Sequence, residues 1–333
     1  MDNDQDVARN GEPADLVLEG GGVKGIGLVG AVSALFDKGY RFGDQGRIAG
    51  TSAGAVVGSL VAAGMTVPRM AEVMRELDYR RFRDGGPFGP VSRGVSLVTR
   101  MGLYKGRYLH RWVTEQLESC GVRTFGDLRL DDPGSALSRE HGYKLVVVVS
   151  DVTSGHMARL PWDYWRYGLE ADEQLVADAV CASAAIPFFF RPVHLKLPED
   201  GQVAVCTDGG MLSNFPINIF DRPRGERPRW PTFGVKLSGK PPAGRWHANW
   251  APVNGPLSLA KALVTTMANA HDRLYVDDPA VGARTIFVDT MGVKATDFSI
   301  GAGLRLELYE RGRAAAAEFL ADWDLEAYLD EYR

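Results

Sequence analysis

The chain is short of cysteine and histidine, with three and six among 333 residues. Cys120, Cys181 and Cys206 lie far apart, and no C-x-x-C occurs. Neither a disulfide framework nor a zinc site is indicated, and a reducing cytoplasm is the expected setting. Neither sign of charge is in excess: 38 Lys and Arg stand against 42 Asp and Glu, a net charge of -4. The chain as a whole therefore lacks a polycation's attraction to nucleic acid or anionic lipid. The opening residues, MDNDQDVARNGEPAD, have neither the basic start nor the apolar run of a signal peptide. Residues 48–68 carry no charge, but Gly50, Thr51, Ser52, Gly54, Gly58, Ser59 and Gly64 leave them few large side chains. A buried turn and helix fits this stretch better than a bilayer span, which takes about 20 predominantly apolar residues. No internal repeat or interdomain linker is visible, and no motif sets an oligomeric state.

Hydrophobic residues make up 45% and charged residues 24% of the chain, an ordinary balance for a globular protein. Short apolar runs that stop at glycine or aspartate read as buried strands: DLVLE (15–19), RIAG (47–50), YKLVVVVSD (143–151), VAVCTD (203–208), TFGVKL (232–237) and RTIFVD (284–289). Between them lie helical patterns. Ile26, Leu28, Val29, Val32, Leu35 and Phe36 share one helical period, a second helix runs from about residue 54 to 63, and Pro68 opens a third. GRYLHRWVTEQLESCG (106–121), DEQLVADAVCASAA (172–185), LSLAKALVTTMANAHDRLYV (257–276) and 304–332 are also helical. Residues 79–104 read as irregular and glycine-rich. Strands alternating with helices predict an α/β three-layer sandwich, a mostly parallel central sheet with helices on both faces. The expected division is a flexible N-terminus, 1–14, and a single domain, 15–333.

Three stretches carry possible chemistry. In LEGGGVKG (18–25), a strand leads through glycines into a helix, where bare N–H groups and the helix dipole favour an anion. Gly20, Gly22 and Gly25 also satisfy G-x-G-x-x-G, so a nucleotide site and a plain tight turn stay open beside an anion site. In GTSAG (50–54), Ser52 sits between strand and helix, the setting of a nucleophile on a strained turn. Gly50 and Gly54 spare that turn side chains, and the Ala53 N–H begins the helix, where an oxyanion could accept its hydrogen bond. A helix of small packing residues is the alternative. In CTDGGMLSNFPI (206–217), Asp208 ends a strand and Gly209 and Gly210 follow, which fits either a site residue or a β-turn. A serine nucleophile needs a base, and of the histidines only His247 and His271 follow Asp208 in the order of an α/β-hydrolase triad.

Together these residues resemble the patatin-like phospholipases. EGGGVKG after the first strand, GTSAG about 30 residues later and DGG at 208–210 carry the likeness. GLYKGRYLHRWV, TFGDL, ASAAIPFFFRPV and LELYERGRAAAAEFL extend it over residues 16 to about 320. The resemblance implies a Ser–Asp dyad with Ser52 as nucleophile and Asp208 as general base, an oxyanion hole at Gly20, Gly21 and Gly22, and hydrolysis of fatty-acyl esters, phospholipid or lysophospholipid, without metal or cofactor. Glu19 stands where plant members carry aspartate, and Lys24 fills a slot that is usually basic. Between residues 79 and 112, Arg80, Arg81, Arg83, Arg93, Arg100, Lys105, Arg107 and Arg111 face Asp84 alone, with Tyr79, Phe82, Phe88 and Leu97 interleaved. This segment reads as a lid or a contact with a membrane surface, or as a solvated basic loop. PWDYWRY (161–167) and the phenylalanines at 188–190 are candidates for an acyl pocket or for ordinary core. Rival readings are a Ser–His–Asp esterase, a nucleotide-binding module, and a catalytically idle lipid-binding or regulatory protein.

Overall fold

The computed structural model describes residues 11–85, 90–130, 132, 137–198, 201–223, 225–238, 253–255, 258–259, 262–263, 266 and 278–333. Eight strands form the main sheet: β1 (Asp15–Leu18), β2 (Ile48–Thr51), β3 (Leu145–Asp151), β4 (His156–Leu160), β5 (Val193–Lys196), β6 (Val203–Asp208), β7 (Thr232–Lys236) and β8 (Thr285–Phe287). Their order is β8-β7-β1-β2-β3-β6-β5, with β4 also paired to β3. From β8 to β3 every pairing is parallel, whereas β4 and β6 run antiparallel to β3, and β5 antiparallel to β6. The helices are α1 (Ile26–Asp37), α2 (Ala53–Ala62), α3 (Val67–Glu76), α4 (Pro90–Arg100), α5 (Arg107–Ser119), α6 (Val176–Ser183), α7 (Ala302–Ala321) and α8 (Leu325–Tyr332). Helices flank the sheet as a three-layer α/β sandwich, with α1 packed along α7 and α2 lying on β1, β2 and β3.

β1, β2, β3 and β7 are buried along their whole length, because parallel strands covered on both faces have no solvent side. The register on β3 brings two distant segments together. Thr51, the last residue of β2, pairs with Val148, and Asp208, the last residue of β6, pairs with the next residue, Val149. β4 occupies the opposite edge of β3, where Val148 pairs with Arg159 and Val149 with Ala158. β2 and β6 thus run toward each other along one edge of β3, and their C-terminal ends meet. Asp208 reaches this point on an antiparallel strand, not by the parallel-sheet rule that suggested its position.

Two further expectations change. The N-terminal segment is not free up to residue 14: Glu12–Pro13 pairs in parallel with Tyr40–Arg41, and the Glu12 and Ala14 N–H groups donate to Gly39 and Arg41 carbonyls. Residues 79–104 are not irregular throughout. Tyr79–Phe82 forms a 3₁₀ turn, α4 fills 90–100, and Gly102–Tyr104 pairs with Phe188–Phe190; Gly94 lowers the helical signal of α4 and masked it. In PWDYWRY, Trp162, Tyr164 and Tyr167 are buried in the core, and none lines the pocket of Ser52. His247, His271, Phe88 and most of the helix expected at 257–276 lie outside the described residues. Among the described residues no helix is long and apolar enough to cross a membrane.

Candidate active site

Ser52 sits between β2 and α2 with φ 52° and ψ -116°. A positive φ in a side chain other than glycine costs on the order of 1–3 kcal/mol and persists only where the surroundings impose it. Here they do. The Ser52 N–H donates to the Ser183 hydroxyl at 2.8 Å, and that hydroxyl donates to the Val148 carbonyl at 2.6 Å. Ser183, at the end of α6, so ties the strained residue to β3. The Thr51 hydroxyl donates to the Ser213 carbonyl at 3.1 Å, which fixes the end of β2 to the loop after Asp208.

The glycines of GTSAG are required by contact. A Cβ on Gly50 would lie 2.3 Å from the Gly54 carbonyl oxygen, and one on Gly54 would lie 2.1 Å from that of Leu18. The turn folds back on itself and against the end of β1, which accounts for the spacing of G-x-S-x-G. Gly209 is equally enclosed, its Cβ position 2.1 Å from the Val148 oxygen. Gly25 lies where a Cβ would meet the Ala53 Cβ at 3.2 Å, so the glycine turn and the serine's helix approach closely.

Ser52 and Asp208 are brought together where β2 and β6 end beside each other on β3, and the Gly210 N–H donates to Asp208 Oδ1 at 2.8 Å. Both residues are buried. Burial pushes the Asp208 carboxyl up to about 6, against the opposing pull of the Gly210 N–H and the Ser52 hydroxyl. The Asp208 N–H donates to the Ala185 carbonyl at 3.0 Å.

Beside this pair runs the glycine turn. Gly22 has φ +56°, and a Cβ there would lie 2.1 Å from the Ala295 oxygen; only glycine fits. Gly22 and Ala53 line the same pocket as Ser52. The Ala53 and Gly22 N–H groups open α2 and a 3₁₀ turn, where the first N–H groups have no acceptor within the helix. Gly20 differs: its N–H donates to the Asn214 carbonyl at 3.1 Å, so it is occupied by the protein itself. Asn214 also donates from Nδ2 to the Gly20 carbonyl at 3.2 Å and to Glu19 at 3.4 Å. Glu19 is buried and accepts from Lys236 and from the Leu237 N–H, and Lys24 Nζ donates to the Leu237 carbonyl at 3.1 Å. Burial holds the Lys24 ammonium below its usual range. Glu19, Lys24, Asn214 and Lys236 therefore brace the turn from behind. Of the Ser183 and Asn214 clamps the sequence reading had no account: each lies in a stretch singled out, ASAAIP and DGGMLSN, but the partner is distant in the chain.

The pocket at Ser52 holds about 40 Å³ and is lined by Val56, Met74, Leu77, Tyr79, Phe82, Leu109, Ile186, Phe190 and Phe298 with the small residues named above and Ala184. That leaves room for a few water-sized groups. Of the three phenylalanines at 188–190, Phe190 lines it, Phe189 stacks on Phe298, and Phe188 is exposed. No histidine lines it among the described residues. Among those residues no cluster of His, Cys, Asp or Glu is arranged to hold a metal ion.

This arrangement of glycine turn, serine elbow and strand-end aspartate coincides with a patatin-like phospholipase domain spanning residues 16–221, and the chain belongs to the patatin-like phospholipase family. The family's activity class is lipid hydrolysis. The chain is 38% identical over 312 residues to the uncharacterized protein YqhO of Bacillus subtilis, covering 93% of this chain and 98% of that one. It is 23% identical to the uncharacterized protein R571 of Acanthamoeba polyphaga mimivirus over 62% of this chain and 61% of the relative. The crystal structure of VipD from Legionella pneumophila shares the fold, with a TM-score of 0.51 and 19% identity over 94% of this chain and 67% of that one.

Proposed function

We propose that the protein hydrolyses fatty-acyl esters of phospholipids or lysophospholipids through an acyl-enzyme on Ser52, with Asp208 as the only general base. The observation that carries this reading is the meeting of Ser52, at a positive φ, with the buried Asp208 carboxylate where β2 and β6 end beside each other on β3. In the first half-reaction Ser52 Oγ attacks the acyl carbonyl carbon and its proton passes to Asp208. The negative oxygen is held by the N–H groups of Gly21, Gly22 and Ala53. The intermediate collapses, the alcohol leaves with the proton from Asp208, and the acyl group stays on Ser52. Asp208 then takes a proton from water, the hydroxide displaces the acyl group, and Ser52 regains its proton. A carboxylate near its ordinary pKa of about 3.9 is a weak base for this task. Raised to about 6, it lies closer to the operating pH, where base catalysis works best.

The segment 79–104 serves as the lid. Tyr79 and Phe82 roof the pocket from its start, and the ladder of Gly102–Tyr104 with Phe188–Phe190 ends it. A fatty-acyl chain does not fit about 40 Å³, so the roof must rise to admit one. Val95, Met101 and Phe188 expose apolar side chains here, and Arg100 and Arg107 act electrostatically on Arg191, the composition of a surface that settles on lipid. The test is covalent labelling with a fluorophosphonate probe, read beside product mass spectrometry on phospholipid vesicles. Labelling lost in Ser52→Ala, with free fatty acid released by the unmutated protein alone, supports the reading. Fatty acid release that persists in Ser52→Ala overturns it.

A further inference from the structure

A cleft of about 660 Å³ lies next to the serine pocket, lined among others by Lys105, Arg107, Arg111, Ala185 and Arg191. It shares Leu109, Ala184 and Phe190 with that pocket. Ala185 in its wall accepts the Asp208 N–H, so cleft and catalytic pair are separated by one stretch of backbone. We propose that the cationic end of this cleft is an anion subsite, in which Lys105, Arg107 and Arg191 hold the phosphate of a phospholipid headgroup while the ester lies at Ser52. The substrate assignment rests on the reading of Ser52 and Asp208 given above.

The charge balance carries the argument. Elsewhere arginines meet carboxylates directly, as in Arg47–Asp15, Arg129–Asp172 and Arg284–Asp221. Lys105, Arg107 and Arg191 have no such ion pair among the described residues. Arg191 Nε is buried without a hydrogen-bond partner. Burial, with Arg100 and Arg107 adding like charge, holds the Arg191 guanidinium below its usual range; Asp84 is the acid that opposes this. Asp84 is already engaged, its Oδ1 accepting from the Gly106 N–H at 2.9 Å and its Oδ2 from the Tyr108 N–H at 2.8 Å. Like charges gathered in a partly desolvated cleft are unfavourable until an anion joins them. Guanidinium groups suit a phosphate because their fixed fork matches its oxygens.

The cleft is also polarised. Glu115 and Glu118 line it further along α5, and Glu115 lies about 12 Å of helix beyond Arg107 at 1.5 Å per residue. His110 pairs with Asp178 at 2.6 Å between them. An anion is therefore directed to the end beside Phe190, the wall shared with the acyl pocket. In a glycerophospholipid the ester and the phosphate are joined through one glycerol unit, so adjoining pockets suit one substrate molecule.

The test compares kcat/KM for lysophosphatidic acid with that for a monoacylglycerol of the same chain, in the unmutated protein and in Arg107→Gln/Arg191→Gln. Loss of two charge-assisted contacts should lower the ratio of the two values on the order of 10²-fold, carried by KM. A ratio that does not move overturns the proposal. The second arm uses Ser52→Ala and calorimetry with glycerol 3-phosphate and with inorganic phosphate. Binding of glycerol 3-phosphate that the arginine changes abolish supports the subsite. Binding of inorganic phosphate alone, with the substrate ratio unmoved, marks a site for free phosphate and overturns the headgroup assignment. If the unmutated protein cleaves no ester, the catalytic reading fails, and glycerol 3-phosphate binding by itself decides whether the anion subsite stands.

Discussion

Ser52 follows, and Asp208 ends, two oppositely directed strands that meet head to head on one edge of β3. This pairing differs from a triad, in which serine and base come from loops above a sheet and the acid sits behind the base. Here the serine and the carboxylate are strand-end neighbours, and the backbone of β3 sets their separation.

If the serine proton passes to Asp208, Asp208→Asn removes the base and leaves the shape. Hydrolysis of a p-nitrophenyl ester should fall on the order of 10⁴-fold, as should Ser52→Ala, and the double variant should be no worse than either single one, since the two act as a unit. Near-unmutated turnover in Asp208→Asn, with loss in His247→Ala or His271→Ala, would replace the dyad with a triad.

The raised pKa of Asp208 has opposite consequences for activity and stability. A carboxylate base works only when deprotonated, so with Asp208 in that role kcat/KM should rise with pH through about 6 and then level off. Stability runs the other way. Between 3.8 and about 6 the native state holds a proton that the unfolded chain has lost, so this group's contribution falls as pH rises through that window. Two pH units correspond to roughly 3 kcal/mol. Asp208→Asn should therefore melt above the unmutated protein at pH 8 and with it at pH 4. A variant that melts lower at pH 8 would show that the native state does not resist the charge.

Ser183 is a positioning residue and gives a separate test. Its hydroxyl accepts from Ser52 and donates to Val148, so Ser183→Ala leaves two buried groups unpaired at a strained turn. The expected cost is about 1–3 kcal/mol of stability and a lower kcat with little change in KM. A Ser183→Thr variant keeps the hydroxyl and should recover part of the loss; if alanine and threonine variants behave alike in kcat, the clamp has no part in catalysis.

Much of this was legible beforehand, for reasons the residues supply. β1, β2 and β3 are continuous apolar runs because they are covered on both faces, and GTSAG and DGG are contiguous. HMARL and VHLK gave no such signal: β4 and β5 are short, antiparallel and partly exposed. The direction of β6 depends on pairing with β3, which no local pattern records. Gly20 looks identical to Gly21 and Gly22 in sequence, and only its bond to the Asn214 carbonyl separates it from them.

That difference gives the sharpest test of the oxyanion turn. Gly22→Ala places a Cβ 2.1 Å from backbone at a positive φ, so lost activity there would not be separable from misfolding. Gly21 is the better position: its φ is not in the left-handed region that Gly22 occupies. An added Cβ would meet the Leu237 Cδ1 at 2.3 Å, the end of a flexible side chain. Gly21→Ala should thus fold, push the turn away from Leu237 and displace a donor. One lost donor costs on the order of 10²- to 10³-fold in kcat. Trimming the obstacle in Gly21→Ala/Leu237→Ala should restore turnover to within about tenfold of Leu237→Ala alone, because the turn can then return to its place. The measurement is kcat on a soluble ester beside a thermal melt for all three variants. Gly21→Ala turning over at the unmutated rate, or a double variant no faster than Gly21→Ala, would show that the turn does not hold the oxyanion.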